Sequence, residues 1–114
     1  MNGARRWYFP DGYIPGGKKG YLVSHESLCI VNVSEETARI KIQFLFENKD
    51  PEIHEITVLP KRSLHLRLDR LGIPRCTPYS IVAESSVPVV MQLSRLDVGK
   101  DHHTLMTTIG YWEE

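Results

Sequence analysis

Three polar groups along the chain carry the residue types that recognition or catalysis needs. The first is Ser24-His25-Glu26, which stands just ahead of an apolar run. The second is Gln92-Leu93-Ser94-Arg95-Leu96-Asp97, where polar residues interrupt the apolar run Val89 to Met91. The third is Arg67, on the polar side of the alternating segment Leu64 to Leu68. A forked guanidinium beside carboxylates, an imidazole and an amide can hold a hydroxylated or acidic small molecule through charge-assisted hydrogen bonds. Trp7, Tyr8, Tyr13 and Trp112 could add an aromatic wall for a sugar-like ring, although each alone serves a core or an interface as readily. Burying such polar groups without partners costs roughly 1–3 kcal/mol each, so they must pair internally or face a cleft. Two readings stay open: an Arg95–Asp97 ion pair that pins strands or subunits with His25 and Glu26 as partners, or a polar pocket.

Catalytic signatures are weak. There is no Gly-x-Ser-x-Gly elbow. Cys29 and Cys76 stand far apart, outside any Cys-x-x-Cys pair, and read as reduced thiols rather than a disulfide framework or a zinc site. His102 and His103 are adjacent, so on a strand they face opposite sides and do not share a metal. The glycines between Pro15 and Gly20 lack both the spacing and the following helix of a phosphate loop. His25, Glu26 and Asp97 could do acid–base work only by converging, which a sequence does not establish. The reading is a binding protein, not an enzyme, with no cofactor and no metal site.

Strands must position these groups. Ala38, Ile40, Ile42, Phe44 and Phe46 alternate with Arg39, Lys41, Gln43 and Glu47, with Leu45 the apolar exception. That period of two predicts a strand with one buried and one wet face. Ile56 and Val58 repeat it, as do Leu64, Leu66 and Leu68. Leu28 to Val33, Ile81 to Val87 and Val89 to Leu96 are apolar on both faces and predict central strands covered on both sides. A last strand is expected from Leu105 to Trp112. Turn signals recur between the runs, among them Asn48-Lys49-Asp50-Pro51, Gly72-Ile73-Pro74 and Val98-Gly99-Lys100-Asp101. Pro88 should mark a strand start, a bend or an edge. Tyr13 to Gly20 reads as a flexible loop. Many short strands and no long helix predict an all-β fold: one antiparallel β-sandwich, jelly-roll-like, forming a single domain over residues 1–114.

The 114 residues hold 14 Lys and Arg against 14 Asp and Glu, for a formal net charge of zero. Such a chain has no general attraction to DNA or anionic lipid. No apolar run approaches the ~20 residues of a membrane-spanning helix, and the expected location is cytoplasmic.

Several ordered motifs together resemble the sensory rhodopsin transducer family. They are Asp11-Gly12-Tyr13-Ile14-Pro15, Ser24-His25-Glu26, the stretch Val58 to Arg67, the stretch Tyr79 to Asp97 (YSIVAESSVPVVMQLSRLD), and the ending TLMTTIGY. The resemblance runs from about Trp7 to Tyr111. It implies a small β-sandwich that assembles as a homotetramer. It also implies a soluble signalling or sensor domain that binds a small ligand, with sugars among the candidates, and relays to a protein partner. By the same resemblance Trp7, His25, Glu26, Arg67, Gln92, Arg95 and Asp97 match the family's recurring polar and aromatic positions, as ligand-binding residues or as subunit contacts. Two alternatives follow from it: an adaptor that docks on a membrane photoreceptor such as a rhodopsin, and a DNA-binding transcription regulator. The lysines Lys18-Lys19 in the glycine-rich loop depart from the transducer. For DNA, a tetramer would have to gather Lys18, Lys19, Lys61 and Arg62 on one side.

Overall fold

The computed structural model describes residues 2–114. Its strands follow in order as β1 (Ala4–Gly12), β2 (Lys18–Lys19), β3 (Leu22–Val23), β4 (His25–Asn32), β5 (Ala38–Phe46), β6 (Glu52–Val58), β7 (Arg62–Arg67), β8 (Tyr79–Val98), β9 (His103–Ile109) and β10 (Tyr111–Glu113), with a 3₁₀ turn at Leu68–Leu71. Every pairing is antiparallel. The first half of β8 lies between β1 and β5, and that layer runs β10-β1-β8-β5-β6. The second half lies between β4 and β9, and that layer runs β7-β4-β8-β9. The two layers form a β-sandwich that shares one strand. Among the described residues no helix is long and apolar enough to cross a membrane.

β8 joins two segments that the sequence separates at Pro88. Its last pair with β5 is Ser85↔Ile40 and its first with β4 is Val90↔Val31. Pro88 therefore falls where the strand leaves one ladder and has not joined the next, so its missing N–H costs no ladder bond on those sides. The β1–β8 register also slips there, between Ala4↔Val89 and Arg6↔Glu84. A bulge of this kind bends a strand, and bends are how strands pass from one sheet to another.

The core sits between the layers. Trp7, Phe9, Ile42, Phe44, Ile81 and Ala83 from one layer meet Leu28, Ile30, Met91 and Leu93 from the other, none more than 4% exposed. The alternation over Ala38–Phe46 is borne out, with Ala38, Ile40, Ile42 and Phe44 all buried. The outer face of the first layer carries an alternating row of charges: Lys41 stands opposite Glu55 and Glu84, and Arg6 lies opposite Glu84 and Glu113. The second layer is less covered than its apolar sequence predicts. Cys29 is half-buried and Val31 is exposed on its outer face.

Two further differences concern the ends of the chain. β1 is not among the strands expected, because Arg5, Arg6 and Pro10 interrupt its pattern, yet Ala4, Trp7 and Phe9 point inward. The expected strand Leu105 to Trp112 is broken at Gly110, where the chain crosses from the edge of one layer to the edge of the other. A side chain at Gly110 would collide with the Phe9 ring, 2.7 Å from an added Cβ.

The segment Tyr13 to Gly20 is not the free loop its glycines suggest. Ile14 is fully buried, and the Cys76 N–H donates to its carbonyl at 2.8 Å. Arg75 donates from Nη1 to the Pro15 and Ser24 carbonyls at 2.8 and 2.7 Å. Only the β2–β3 tip stands out, with Tyr21 fully exposed. Gly17 is required by close approach: an added Cβ would lie 2.0 Å from the Val98 carbonyl oxygen. Gly20 has φ of +61° but open space around it. Gly17→Ala should therefore destabilise by roughly 2–3 kcal/mol through overpacking against backbone. Gly20→Ala should cost only about 1 kcal/mol of left-handed strain. Urea unfolding of the two variants checks the order, and the reverse order would contradict this account of the loop.

Candidate functional site

Glu26 and Arg95 face each other across the β4–β8 ladder. Both point to the inner side of the second layer, beside Leu28 and Leu93. The Glu26 carboxylate is fully buried. Its Oε2 accepts from Arg95 Nε at 2.8 Å, and its Oε1 accepts from the Tyr13 N–H at 3.2 Å and from the Tyr79 hydroxyl. Arg95 also donates from Nη2 to the Asp11 carbonyl at 2.9 Å and approaches the Asp11 carboxylate at 3.5 Å. One carboxylate thus ties together the end of β1, both ends of β8 and the start of β4. Burial pushes the Glu26 carboxyl above its ordinary range, and its donors Tyr79 and Arg95 only partly offset this. Burial also raises the Tyr79 hydroxyl, with the Glu26 charge beside it adding to the effect. Arg95 is held above its ordinary value: burial opposes its charge, but the bond to Glu26 outweighs that.

This pair lies at the bottom of a cleft of about 410 Å³ between β1, the second half of β8 and β9. Phe9, Leu93 and Met106 give it apolar walls, Arg95 and Glu26 a charged floor, and Asp11 a rim. Among the described residues Arg95 Nη1 makes no hydrogen bond and no buried side-chain nitrogen or oxygen lacks a partner, so Nη1 is not a buried, unpaired atom and is reached by solvent. It remains available to an acceptor. Apolar walls with a few directed polar groups are the ordinary make-up of a small-molecule site.

The other expected site residues lie elsewhere. Trp7 is in the core, 3% exposed, its Nε1 donating to the Ala4 and Val89 carbonyls, so it offers no wall to the cleft. His25 neighbours Glu26 on a strand and so points to the opposite face, where its Nδ1 bonds the Val23 carbonyl at 2.8 Å. Gln92 is on that outer face too, donating to the Thr107 hydroxyl at 2.7 Å. Arg67 binds Asp69 with two hydrogen bonds of 2.8 and 2.9 Å. Burial alone would raise the Asp69 carboxyl, but Arg67 holds it below its ordinary value. Asp97 is exposed, opposite Thr104 on β9, and Arg95 pairs with Glu26 and Asp11 rather than with it. Of the seven residues, the structure brings Glu26 and Arg95 together in the cleft and leaves the other five outside it.

Asp11, Tyr79 and Arg75 are not among the expected site residues, although the first two stand in the motifs that carry the family resemblance, and Tyr13, expected as an aromatic wall, serves Glu26 through its backbone N–H instead. Four basic residues weighed for DNA do not gather within the chain. Lys18 and Lys19 stand by Val98, at the His25 end of β4, whereas Lys61 and Arg62 adjoin its Asn32 end. An eight-residue strand separates such groups by roughly 23 Å. No cluster of three or more metal-ligating side chains occurs among the described residues.

The family model for the Anabaena sensory rhodopsin transducer matches residues 2–112. The chain is 74% identical to the protein of the crystal structure of Thermotoga maritima 1070, over 100% of this chain and 98% of that one, with a TM-score of 0.98. It is 34% identical to the Anabaena sensory rhodopsin transducer, over 86% of this chain and 93% of that one, with a TM-score of 0.73. No curated protein matches it.

Replacing Arg95 by Met keeps the apolar stem and leaves the Glu26 carboxylate buried without its cation. Near pH 7 this should cost about 3 kcal/mol or more. Without Arg95 the Glu26 carboxyl rises further, so a proton can neutralise it as pH falls. The folded form then gains stability below its raised pKa relative to above it, and the deficit of Arg95→Met should shrink toward about pH 4.5. Urea denaturation of both proteins at the two pH values reads the difference. A deficit that is constant or grows on acidification would contradict the pairing.

Proposed function

The chain belongs to the Anabaena sensory rhodopsin transducer family, and from that premise we propose that it is a signalling module that senses a small polar ligand in the cleft over Glu26 and Arg95 and relays its occupancy to a protein partner. The observation that carries this reading is the free Nη1 of Arg95, set in an apolar-walled cleft of about 410 Å³. An acceptor-rich ligand, a hydroxylated ring or a carboxylate, would complete the guanidinium's bonding without breaking its pair with Glu26. The wall from Met106 to Ile109 is the edge strand β9, which pairs only with β8 among the described residues. A ligand that favours one position of that strand would shift its population, and a partner docked on the strand would feel the shift.

The working form proposed is a cytoplasmic homotetramer. Support for association comes from the uncovered apolar residues: Val31, Leu105 and Ile109 on the outer face of the second layer, and Tyr111 and Trp112 on the edge strand β10. A rhodopsin-like receptor is the partner class that the family name suggests. The separation of Lys18-Lys19 from Lys61-Arg62 favours a protein partner over DNA.

Sugars, polyols and small carboxylates should be screened by thermal unfolding. A ligand present at a hundred times its Kd should add about 2.7 kcal/mol to the stability of the folded form. Thr108→Trp, which crowds the cleft without touching the Glu26–Arg95 pair, should abolish that shift while leaving the unliganded protein folded. The reading fails if no compound of these classes shifts the transition, or if the shift survives Thr108→Trp.

A further inference from the structure

We infer that the tip of the β2–β3 hairpin and the adjoining β8–β9 turn form a contact site for an anionic lipid surface, with Tyr21 and Leu22 entering the interface and Lys18, Lys19 and Lys100 holding the headgroups. The inference goes beyond the reading above and stands whether or not the cleft takes a ligand. A chain of zero net charge is drawn to such a surface only by a local patch. The hairpin supplies one. Lys18 pairs with Val23 and Lys19 with Leu22, which leaves Gly20-Tyr21 as the turn. Tyr21 is the most exposed large apolar side chain among the described residues, and Leu22 beside it is 44% exposed. Gly20 has open space where a side chain would stand. No packing within the described chain accounts for an aromatic and a leucine at this tip. The lysines flank it. Lys19 lies one residue behind the turn and Lys18 two, roughly 3 and 7 Å back along the strand. Lys100, in the turn between β8 and β9, lines the same recess as both. Among the described residues none of the three forms an ion pair, whereas Lys49 and Lys61 are bonded to Glu52 and Glu35. Asp101 is the one acidic residue in either turn, so the patch keeps a positive excess.

The two turns are held together at their base. The Ser24 N–H donates to the Gly17 carbonyl at 3.0 Å, and the Ser24 Oγ accepts from the Val98 N–H at 2.8 Å. Gly17 also lies directly against the Val98 carbonyl. They therefore project as one unit from one end of the sandwich, with the apolar tip leading and the lysines behind it. A bilayer interface selects that order. An aromatic ring with a polar end sits at headgroup level, and lysine stems reach back past it to the phosphates. Duplex DNA would reward the lysines, but it offers Leu22 no apolar phase. It would also favour a longer basic stripe, and Lys61 and Arg62 stand at the other end of β4. Each lysine near an anionic membrane surface tightens binding roughly fivefold, so three give on the order of 100-fold. A basic patch or a small apolar anchor is weak alone, and the two together give reversible attachment.

The test is co-sedimentation of the full chain with phosphatidylcholine vesicles, with and without phosphatidylserine. The wild type should sediment with the anionic vesicles and not with the neutral ones. Raising the salt from about 0.1 M to about 1 M shortens the screening length from roughly 10 to roughly 3 Å and should release it. Lys18→Glu with Lys19→Glu should weaken binding by about 25-fold or more. Tyr21→Ser with Leu22→Ser should weaken it about tenfold. Both variants should keep the wild-type circular dichroism spectrum, because all four side chains are exposed. Lys61→Glu with Arg62→Glu makes the same change in net charge at the other end of β4 and should leave binding unchanged. Tyr21→Trp should be quenched by brominated acyl chains beyond the quenching of the wild-type tryptophans. The inference is overturned if the wild type ignores anionic vesicles, if the two charge reversals weaken binding equally, or if Tyr21→Trp gains no quenching. It is also overturned if a short DNA duplex strips the protein from the vesicles and is held by the same lysines with no contribution from Tyr21 and Leu22.

Discussion

The hydrogen-bonding of one strand holds this fold together. β8 runs for twenty residues and pairs with β1, β5, β4 and β9, so both layers are built on the same backbone. A strand that serves two sheets must change its facing partly along its length, and the bulge and Pro88 lie where the change occurs. The consequence for the site is direct. Tyr79 at the start of β8 and Arg95 near its end converge on a single carboxylate because the layers close over each other between them. Local sequence spacing does not set that convergence; the bend does.

Glu26 then has two roles that pull against each other. As a structural acceptor it joins Tyr13, Tyr79 and Arg95, and among the described residues no buried side-chain nitrogen or oxygen is left unpaired. As a buried charge it is expensive, and burial outweighs its donors in setting its protonation. A buried ion pair adds little to stability against an apolar pair of the same shape. Its place at the floor of the cleft fits, in the proposed reading, what it does to Arg95. Two bonds fix the guanidinium plane, one to Glu26 and one to the Asp11 carbonyl, and they leave Nη1 directed away from both. A group held in this way loses little rotamer freedom when a ligand arrives, which lowers the entropic cost of binding.

Much of this architecture is legible in the residue pattern. The alternation over Ala38–Phe46 specifies both the strand and its buried face, and the polar set around Arg95 marks the strand that carries the site. The same period of two also divides the site residues. It puts His25 opposite Glu26, and Gln92 opposite Arg95, so a single recess could never have held them all. What the pattern leaves hidden has physical causes. β1 is masked by Arg5 and Arg6, whose charges belong to an outer face, and with its facing unknown Trp7 reads as a wall when it is core. Pro88 divides β8 on paper because a proline inside a ladder is costly, and only the change of partners removes that cost. The glycines near Lys18 suggest freedom, yet Gly17 is there to let the Val98 carbonyl approach. Asp11 and Tyr79 become site residues only through contacts 84 and 53 positions away in sequence.

The distribution of charge separates the surfaces by purpose. A chain with zero net charge does not need to be neutral everywhere. Here one broad face is laced with Arg6, Lys41, Glu55, Glu84 and Glu113, while the flank formed by β9 and β10 carries nearly all of the large exposed apolar side chains at the C-terminal end. Solvated ion pairs of the first kind contribute little to stability, but they keep a sheet face from sticking to another. Their absence along β9 is therefore informative. That strand is also a wall of the cleft, and among the described residues it is held by β8 on one side only. In the proposed reading, a ligand in the cleft and a partner docked on β9 share this strand, through which each can bias the other.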